Sequence, residues 1–204
     1  MKIFFIYKEL FKRNRWWIFF IVGLAAIWVA AGYFTAITFP DSVPAFVEFF
    51  GQTLDEALGG VEPAPTWEFA LALLLQNGTA AGLDLLLGIV FGIVPLLSVV
   101  INFFALGFLA GPVFNANPDI TTISPGLFIA AIAPHGIFEL PALLFAAAFG
   151  FRIGWDWLLP ASSGRRKQTL KESFRDVLIA LPFIAVLLVI AALIEAFVTF
   201  NLVN

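Results

Sequence analysis

Long apolar runs, separated by short polar segments, dominate the sequence. They cover residues 16–38, most of 67–114, 125–151 and 177–200. A run of about 20 apolar residues crosses the hydrocarbon core of a bilayer as one α-helix. The pattern therefore predicts an all-α, polytopic transmembrane helical bundle with about five spans, which we interpret as a single integral membrane domain over residues 1–204.

The middle apolar run is too long for one span and leaves two ways to place the second helix. An Asn-Gly pair at 77–78 interrupts it after ten apolar residues. The preferred interpretation starts span 2 at Gly78 or Ala80 and ends it at Leu97, and it places span 3 from about Val99 to Phe114. In the alternative, 67–76 enters the outer leaflet and breaks at Asn77, which is tolerated only where protein or water satisfies the freed backbone groups.

Residues 39–66 are predicted to form an external loop that contains an amphipathic helix. Ser42 and Pro44 suit the start of a helix, and Gly59 and Gly60 suit its end. The apolar positions between them follow helical spacing, and the polar positions are acidic. We therefore expect this helix to dock onto the bundle, because helices that bind anionic lipid carry Lys-rich faces.

All eleven Lys and Arg residues lie in two clusters, 2–15 and 152–175. Short segments rich in Lys and Arg stay on the cytoplasmic side of a membrane. This asymmetry predicts a multi-pass protein of the cell membrane with a cytoplasmic N-terminus, a basic cytoplasmic loop over 152–176 and an external C-terminus. Further turns are expected at 115–124, outside, and at 162–164, within the basic loop.

Composition narrows the possible partners and chemistry. The hydrophobic fraction of 61% exceeds the roughly 45–50% of soluble domains, which excludes a soluble globular fold. The basic loop is interpreted as an inner-leaflet anchor, so the expected partners are the bilayer and a membrane protein or a second copy, and no nucleic acid. The chain has no cysteine, which excludes disulfides and thiolate chemistry.

Glycines at four-residue spacing recur within the predicted spans. Helices in lipid associate through close van der Waals approach, which small residues at this spacing allow. The spacing predicts tight helix packing and leaves the oligomeric state open. The pairs are Gly78/Gly82, Gly88/Gly92, Gly107/Gly111 and Gly150/Gly154.

Ionisable and helix-disrupting residues concentrate in the middle of predicted span 4, at 134–141. This segment contains the only histidine, His135, together with Glu139 and a proline at each end. A charged side chain at the bilayer centre costs about 2.5–3.5 kcal/mol on insertion scales, so these groups should face protein. Their four-residue spacing puts both side chains on one helix face, and Pro141 predicts a broken or kinked span.

Four further polar residues within the predicted spans are candidates for the same site. Asp84 and Glu195 are intramembrane acids, which are expected to face the interior of a bundle. If span 2 starts at residue 78, both acids fall in the outer half of the membrane. They are then expected to line one outward-facing cavity together with His135 and Glu139 of span 4. Asn77 and Asn102 are uncharged and are better suited to capping or bridging helices.

Three interpretations of this polar set remain open. The first is a buried hub in which His135 pairs with Glu139 or Asn102, and the second is an ion or proton site. The third is a metal site, with or without a catalytic role, which needs a third ligand from Asp84, Glu195 or an Asn. No His-Glu-x-x-His motif, second histidine or cysteine is present, so no cofactor and no catalytic residue are predicted.

Two segments carry a resemblance to a known family. Residues 134–142, Pro-His-Gly-Ile-Phe-Glu-Leu-Pro-Ala, and 150–154, Gly-Phe-Arg-Ile-Gly, resemble the stage II sporulation protein M family. Asn77 at the head of a Gly-rich span and Asn102 in the next span add to it, whereas Gln76 stands where the family commonly has a first asparagine. The resemblance implies a five-span membrane protein without an established catalytic residue.

The resemblance also bears on function. Its bacterial namesake belongs to a membrane complex with peptidoglycan-degrading partners, so it implies a scaffold or a subunit of a membrane complex. The leading hypothesis is therefore a non-enzymatic scaffold with a buried His/Glu polar site. The alternative is a small transporter or channel that uses His135 and Glu139 as an ion or proton site, followed by an intramembrane metalloenzyme.

Overall fold

The computed structural model describes residues 2–115, 121–158 and 166–203, and all regular secondary structure within these ranges is helical. A short 3-10 helix, Pro40–Ser42, precedes α2, and a π-helix, Glu195–Thr199, joins α6 to α7. This confirms the predicted all-α class. The α-helices are α1 Lys2–Thr38, α2 Val43–Ala57, α3 Trp67–Leu87, α4 Ile93–Phe114, α5 Pro125–Leu158, α6 Arg166–Ile194 and α7 Phe200–Val203.

Five of the described helices are long and apolar enough to cross a membrane, namely α1, α3, α4, α5 and α6 with its extension. Helices α3 and α4 contain 21 and 22 residues, or about 31–33 Å at 1.5 Å per residue, which matches the hydrocarbon thickness. Helices α1 and α5, with 37 and 34 residues, are longer than one crossing requires. The chain is a multi-pass membrane protein with the predicted number of spans.

The preferred boundaries of spans 2 and 3 are wrong, because α3 starts earlier than residue 78. It begins at Trp67, where the Thr66 hydroxyl accepts a hydrogen bond of 3.2 Å from the Phe69 N–H and caps the helix. Helix α3 then runs without interruption through the Asn-Gly pair at 77–78. The alternative with a break at Asn77 is excluded as well, and residues 67–76 are the first half of span 2.

The real interruption is a tight turn over residues 88–92, which predicted span 2 had included. Gly92 has a φ of +69° and Phe91 a φ of +55°, a left-handed conformation that glycine adopts readily and a bulky residue rarely does. Helix α4 begins at Ile93, and Pro95 lies in its first turn, where the missing N–H of proline leaves no helical hydrogen bond unmade.

The amphipathic helix predicted within residues 39–66 is present as α2. Gly59 and Gly60 follow it with φ values of +67° and +75°, as expected for residues that stop a helix. The helix docks on the bundle through its apolar face, where the ring centroid of Phe46 lies 4.3 Å from that of Phe108 on α4. Val43 is buried in the same small cluster.

Helix α5 is continuous across Pro134 and Pro141, so the broken form of the predicted span 4 is not observed. The segment 152–176, interpreted as a loop, is helical at both ends, because α5 continues to Leu158 and α6 begins at Arg166.

Two predicted connections are described only in part or not at all. The turn expected at 162–164 lies outside the described residues, as do positions 116–120 of the connection expected at 115–124.

Three of the four glycine pairs lie at close helix contacts. A Cβ atom at Gly150 would collide with the carbonyl oxygen of Asp84 on α3, and one at Gly107 would collide with the carbonyl oxygen of Val29 on α1. The predicted tight packing is confirmed there. The remaining pair, Gly78/Gly82, faces open space.

The bundle has two distinguishable ends. The turn between α3 and α4 packs against Gly150 and Gly154, close to Arg152, and we call this the basic end. The start of α3 lies at the opposite end, where the ring of Trp67 packs against Phe197 with centroids 5.0 Å apart.

Candidate functional site

The six candidate residues fall into two separate groups. One group lies where α3, α5 and the π-helix meet, and the other lies between α3 and α4 near the basic end. The first group contains His135, Glu139, Glu195 and Asn77. The second contains Asp84 and Asn102, which Ser98 links.

Three ionisable side chains converge in the first group. His135, Glu139 and Glu195 each place one possible ligand atom within 4.8 Å of the other two, and all three residues are half-buried. The four-residue spacing on α5 puts the first two on one face, as the sequence predicted. The third, Glu195, comes from the last span. The sequence had indicated it only as one of several acids that line the same cavity.

Two neighbouring polar groups orient these side chains. The Thr199 hydroxyl forms a hydrogen bond of 3.3 Å with Nδ1 of His135, which leaves Nε2 of the imidazole available. The Asn77 side chain interacts with the Glu139 carboxyl. Sequence reasoning missed Thr199, although its position four residues after Glu195 in an apolar span was a usable signal.

The segment that carries Glu195 and Thr199 is itself unusual. It forms a π-helix over Glu195–Thr199. Single π-turns within α-helices are rare and occur frequently at functional sites, because the wider turn redirects side chains. Both of its polar residues contribute to the cluster around His135.

A pocket of about 250 Å³ borders this cluster at the end of the bundle opposite the basic end. Glu195 and Thr199 are its polar lining residues. Helix α2, the segment before α3 and the start of α7 complete its wall, so the pocket lies beneath the amphipathic helix. Its apolar lining consists of Leu54, Leu58, Pro63, Phe69, Leu73, Ala131 and Phe200.

The sequence places no Lys or Arg in the parts of the spans that surround the site. Lys and Arg are absent between Trp16 and Phe151 and again after Arg175. The ion pairs of the described residues all involve Arg13 or Arg152 at the basic end. The two carboxyl groups can therefore be neutralised only by protons, by the neighbouring imidazolium or by a bound cation.

The second group is separate from this site. Asp84 is 1% exposed, the Ser98 hydroxyl interacts with its carboxyl, and Oδ2 has no hydrogen-bond partner among the described residues. The outer half was predicted for Asp84 on the condition that span 2 starts near residue 78, and this condition fails, because α3 starts at Trp67 and Asp84 sits in its last turn. Asn102 does not pair with His135; its side chain is exposed and donates a hydrogen bond of 2.8 Å to the Ser98 carbonyl.

Comparison with known families decides what kind of protein this is. The model of the family described as stage II sporulation protein M matches residues 16–200, which is most of the sequence. The chain belongs to the stage II sporulation protein M family. It is also similar to an uncharacterised protein of Methanocaldococcus jannaschii, with 32% identity over 136 residues that cover 66% of this chain and 74% of that protein. No solved structure matches.

A second polar network of this family member lies at the basic end and was missed by sequence reasoning. Asp176 is fully buried and accepts hydrogen bonds from Arg152 Nη1 (2.7 Å), Arg13 Nε (2.8 Å) and Asn14 Nδ2 (3.1 Å). A second nitrogen of Arg13 also pairs with the same carboxylate. The network joins α1, α5 and α6.

Arg152 belongs to the basic loop that was interpreted as an inner-leaflet anchor. Its side chain is only 9% exposed and points into the bundle. It also contacts Asp156 at 3.3 Å, and Asp156 in turn accepts a hydrogen bond from Ser173. The signal in the sequence was Asp176, the acid directly before span 5, in a predicted loop with six basic residues and two other acids, Asp156 and Glu172.

Proposed function

We propose that this protein binds a small cation or protons inside the membrane and exchanges them with the aqueous phase at the end opposite the basic end. The single observation that supports this proposal most directly is the convergence of His135, Glu139 and Glu195 next to the pocket. The proposed role is that of a small transporter or channel and requires no catalysis.

Charge balance favours an exchangeable occupant over a static hub. Ionisable groups at membrane depth are costly and commonly mark ion paths or proton relays. Two carboxylates this close repel each other unless a proton or a cation lies between them. A static hub would be cheaper with Asn or Gln at these positions, whereas two Glu residues retain the ability to bind and release positive charge.

The segregation of Lys and Arg supports an orientation for this exchange. The basic end is expected to lie in the cytoplasm, because positive segments close to the spans stay inside. The pocket then faces the exterior, and five crossings bring the C-terminal end of the chain to the same side. Cleavage of a protease site inserted after Asn204 in intact cells tests the orientation.

Flux through proteoliposomes tests the proposal directly. Purified protein is reconstituted, and proton entry is followed with a trapped pH-sensitive dye while divalent cation entry is followed with a trapped metal indicator. We expect flux of at least one of these ions in the wild type and its loss in Glu139→Gln. The matched control is Glu48→Gln, which removes an exposed carboxylate from α2 and should leave flux unchanged.

Retention of the fold is monitored by gel filtration and thermal unfolding of each variant. A folded wild-type protein that conducts neither protons nor divalent cations would overturn the proposal. Wild-type flux that survives Glu139→Gln would overturn the assignment of the site.

A scaffold within a membrane complex is the second candidate function. It is favoured by the open face at Gly78 and Gly82, which borders a groove between α3 and α6. Small residues at this spacing admit the close approach of another transmembrane helix, from a partner membrane protein or a second copy. Blank flux assays, together with a Glu139→Gln variant that merely unfolds at lower temperature, would favour this function.

A further inference from the structure

We infer that the occupant of this site is a divalent transition-metal ion of the Zn²⁺ class, with His135, Glu139 and Glu195 as its direct ligands. The inference rests on the proposed site and names its ligand. One ligand atom from each residue already lies within 4.8 Å of the other two. Ligands bonded at about 2.1 Å in a tetrahedral site are roughly 3.4 Å apart, so small side-chain rotations would close the site around an ion.

The donor set selects the class of ion. Imidazole nitrogen suits Zn²⁺, Fe²⁺, Co²⁺ and Ni²⁺, whereas sites for Na⁺, K⁺, Mg²⁺ and Ca²⁺ are built from oxygen donors alone. The only histidine of the chain lies at this position. Neutral His135 with two carboxylates carries two negative charges, which a divalent ion balances without any Lys or Arg.

The neighbouring side chains act as metal-site supports. Ligating histidines usually bond through their second ring nitrogen to an outer group that fixes the tautomer and the ring orientation. The Thr199 hydroxyl holds Nδ1 of His135 in this way and leaves Nε2 for the ion. The Asn77 side chain interacts with the Glu139 carboxyl and takes the corresponding role.

An open coordination position would face the pocket. Three protein ligands leave a fourth tetrahedral position free, as in sites that exchange water or another small ligand. Glu195 belongs to the cluster and also lines the pocket. An ion bound to the cluster is therefore accessible through the pocket, from the end opposite the basic end. A site with this geometry loads and releases its ion from one side of the membrane.

The test uses Co²⁺ as a spectroscopic probe and Zn²⁺ as its competitor on the full chain in detergent. We expect one Co²⁺ per chain with the intense visible absorption of a four-coordinate ion, displaced by Zn²⁺ and unaffected by excess Mg²⁺ or Na⁺. His135→Gln, Glu139→Gln and Glu195→Gln should each weaken Zn²⁺ binding at least about 100-fold, and Asn77→Ala about 10-fold or more. Asp84→Asn, at the other intramembrane acid, is the matched control and should bind normally.

The outcomes separate this inference from the proposed function. Folded wild-type protein without the Co²⁺ spectrum, while proton flux remains dependent on Glu139, overturns the metal assignment and leaves the proposed function standing. Tight Zn²⁺ binding with no flux of any ion overturns the exchange and supports the metal site. Equal binding in wild type and Glu195→Gln, or a loss in Asp84→Asn as large as that in Glu139→Gln, overturns the assigned ligands. The Co²⁺ spectrum of the wild-type protein tests the metal assignment even if a variant fails to fold.

Discussion

Replacing Asp176 by Asn is expected to destabilise the bundle more than any other single change in the network at the basic end. Its carboxylate is fully buried and is the common acceptor for Arg13, Asn14 and Arg152. Asn keeps the size and one acceptor oxygen but removes the negative charge. Two guanidinium groups then remain, with the Asp156 carboxylate beside Arg152 as the remaining negative charge of the network.

The magnitude follows from the burial of each partner. The Arg152 side chain is 9% exposed, and breaking a buried ion pair by removing one partner costs about 3–5 kcal/mol. The Arg13 side chain is 38% exposed, so water screens it and its pair adds less than about 1 kcal/mol. Asp156 still pairs with Arg152 at 3.3 Å in this variant, so we expect Asp176→Asn to lower the free energy of unfolding by about 3 kcal/mol, the lower end of this range.

The converse change should cost less. In Arg152→Met, Asp176 keeps its contacts with Arg13 and Asn14, and Met fills much of the vacated volume. The expected loss is about 1.5–3 kcal/mol, the usual contribution of a hydrogen bond to a charged group. The double variant Asp176→Asn/Arg152→Met should be less damaging than the sum of the single changes, because residues in one network couple by about 0.5–3 kcal/mol.

Reversible unfolding in SDS, followed by tryptophan fluorescence, measures these differences. Trp17 and Trp155 lie in contact beside the network, with ring centroids 5.7 Å apart, and report on its loss. Arg175→Met is the matched control, since it removes an exposed cation next to Asp176 and should leave the midpoint unchanged. Equal, small effects of Asp176→Asn and Arg175→Met would refute the reasoning that burial makes this pair costly to break.

Three further changes test α3: its close contact with α5, its N-terminal cap and the role of its buried Asp84. Gly150→Ala should cost about 1–3 kcal/mol of unfolding free energy, because its Cβ would meet the Asp84 carbonyl oxygen. Gly82→Ala, in open space, serves as the control. Equal SDS midpoints of the two variants would contradict the contact at Gly150. Thr66→Ala should cost about 1 kcal/mol through loss of the helix cap to Phe69, and Thr66→Ser should restore it. Asp84→Asn should leave ion flux through the proteoliposomes intact, and a loss of flux without unfolding would connect the two polar groups.

Local signals explain which boundaries could be predicted. Ser42 directly before α2, Pro44 in its first turn and the glycine pair after it are local signals, and α2 lies where they predicted it. The Ser42 hydroxyl donates a hydrogen bond of 2.6 Å to the Phe39 carbonyl and does not cap α2. The predicted start of α3 was wrong because the Asn-Gly pair at 77–78 was read as an interruption, whereas within the bundle the Asn77 side chain interacts with Glu139 and the helix continues. The same error placed Asp84 near the start of the span, whereas it lies in the last turn of α3.

The site itself was predictable only in part. His135 and Glu139 were paired from their spacing on one helix, which is a local property. That Glu195 is the third member, and that Thr199 orients the imidazole, depends on how α6 packs against α5 and on the π-helix over Glu195–Thr199. A wider helical turn changes the direction of a side chain without any distinct mark in the sequence.

The sequence by itself determined the class of protein and the number of spans, because hydrocarbon requires each crossing to satisfy its own backbone hydrogen bonds within a continuous apolar helix. Only the tertiary structure decided which polar groups meet. Asp176 with Arg152, and Glu195 with His135, are brought together by helix packing between distant parts of the chain. Burial makes each isolated polar group costly, so a partner is required, but the identity of that partner is a property of the packed bundle.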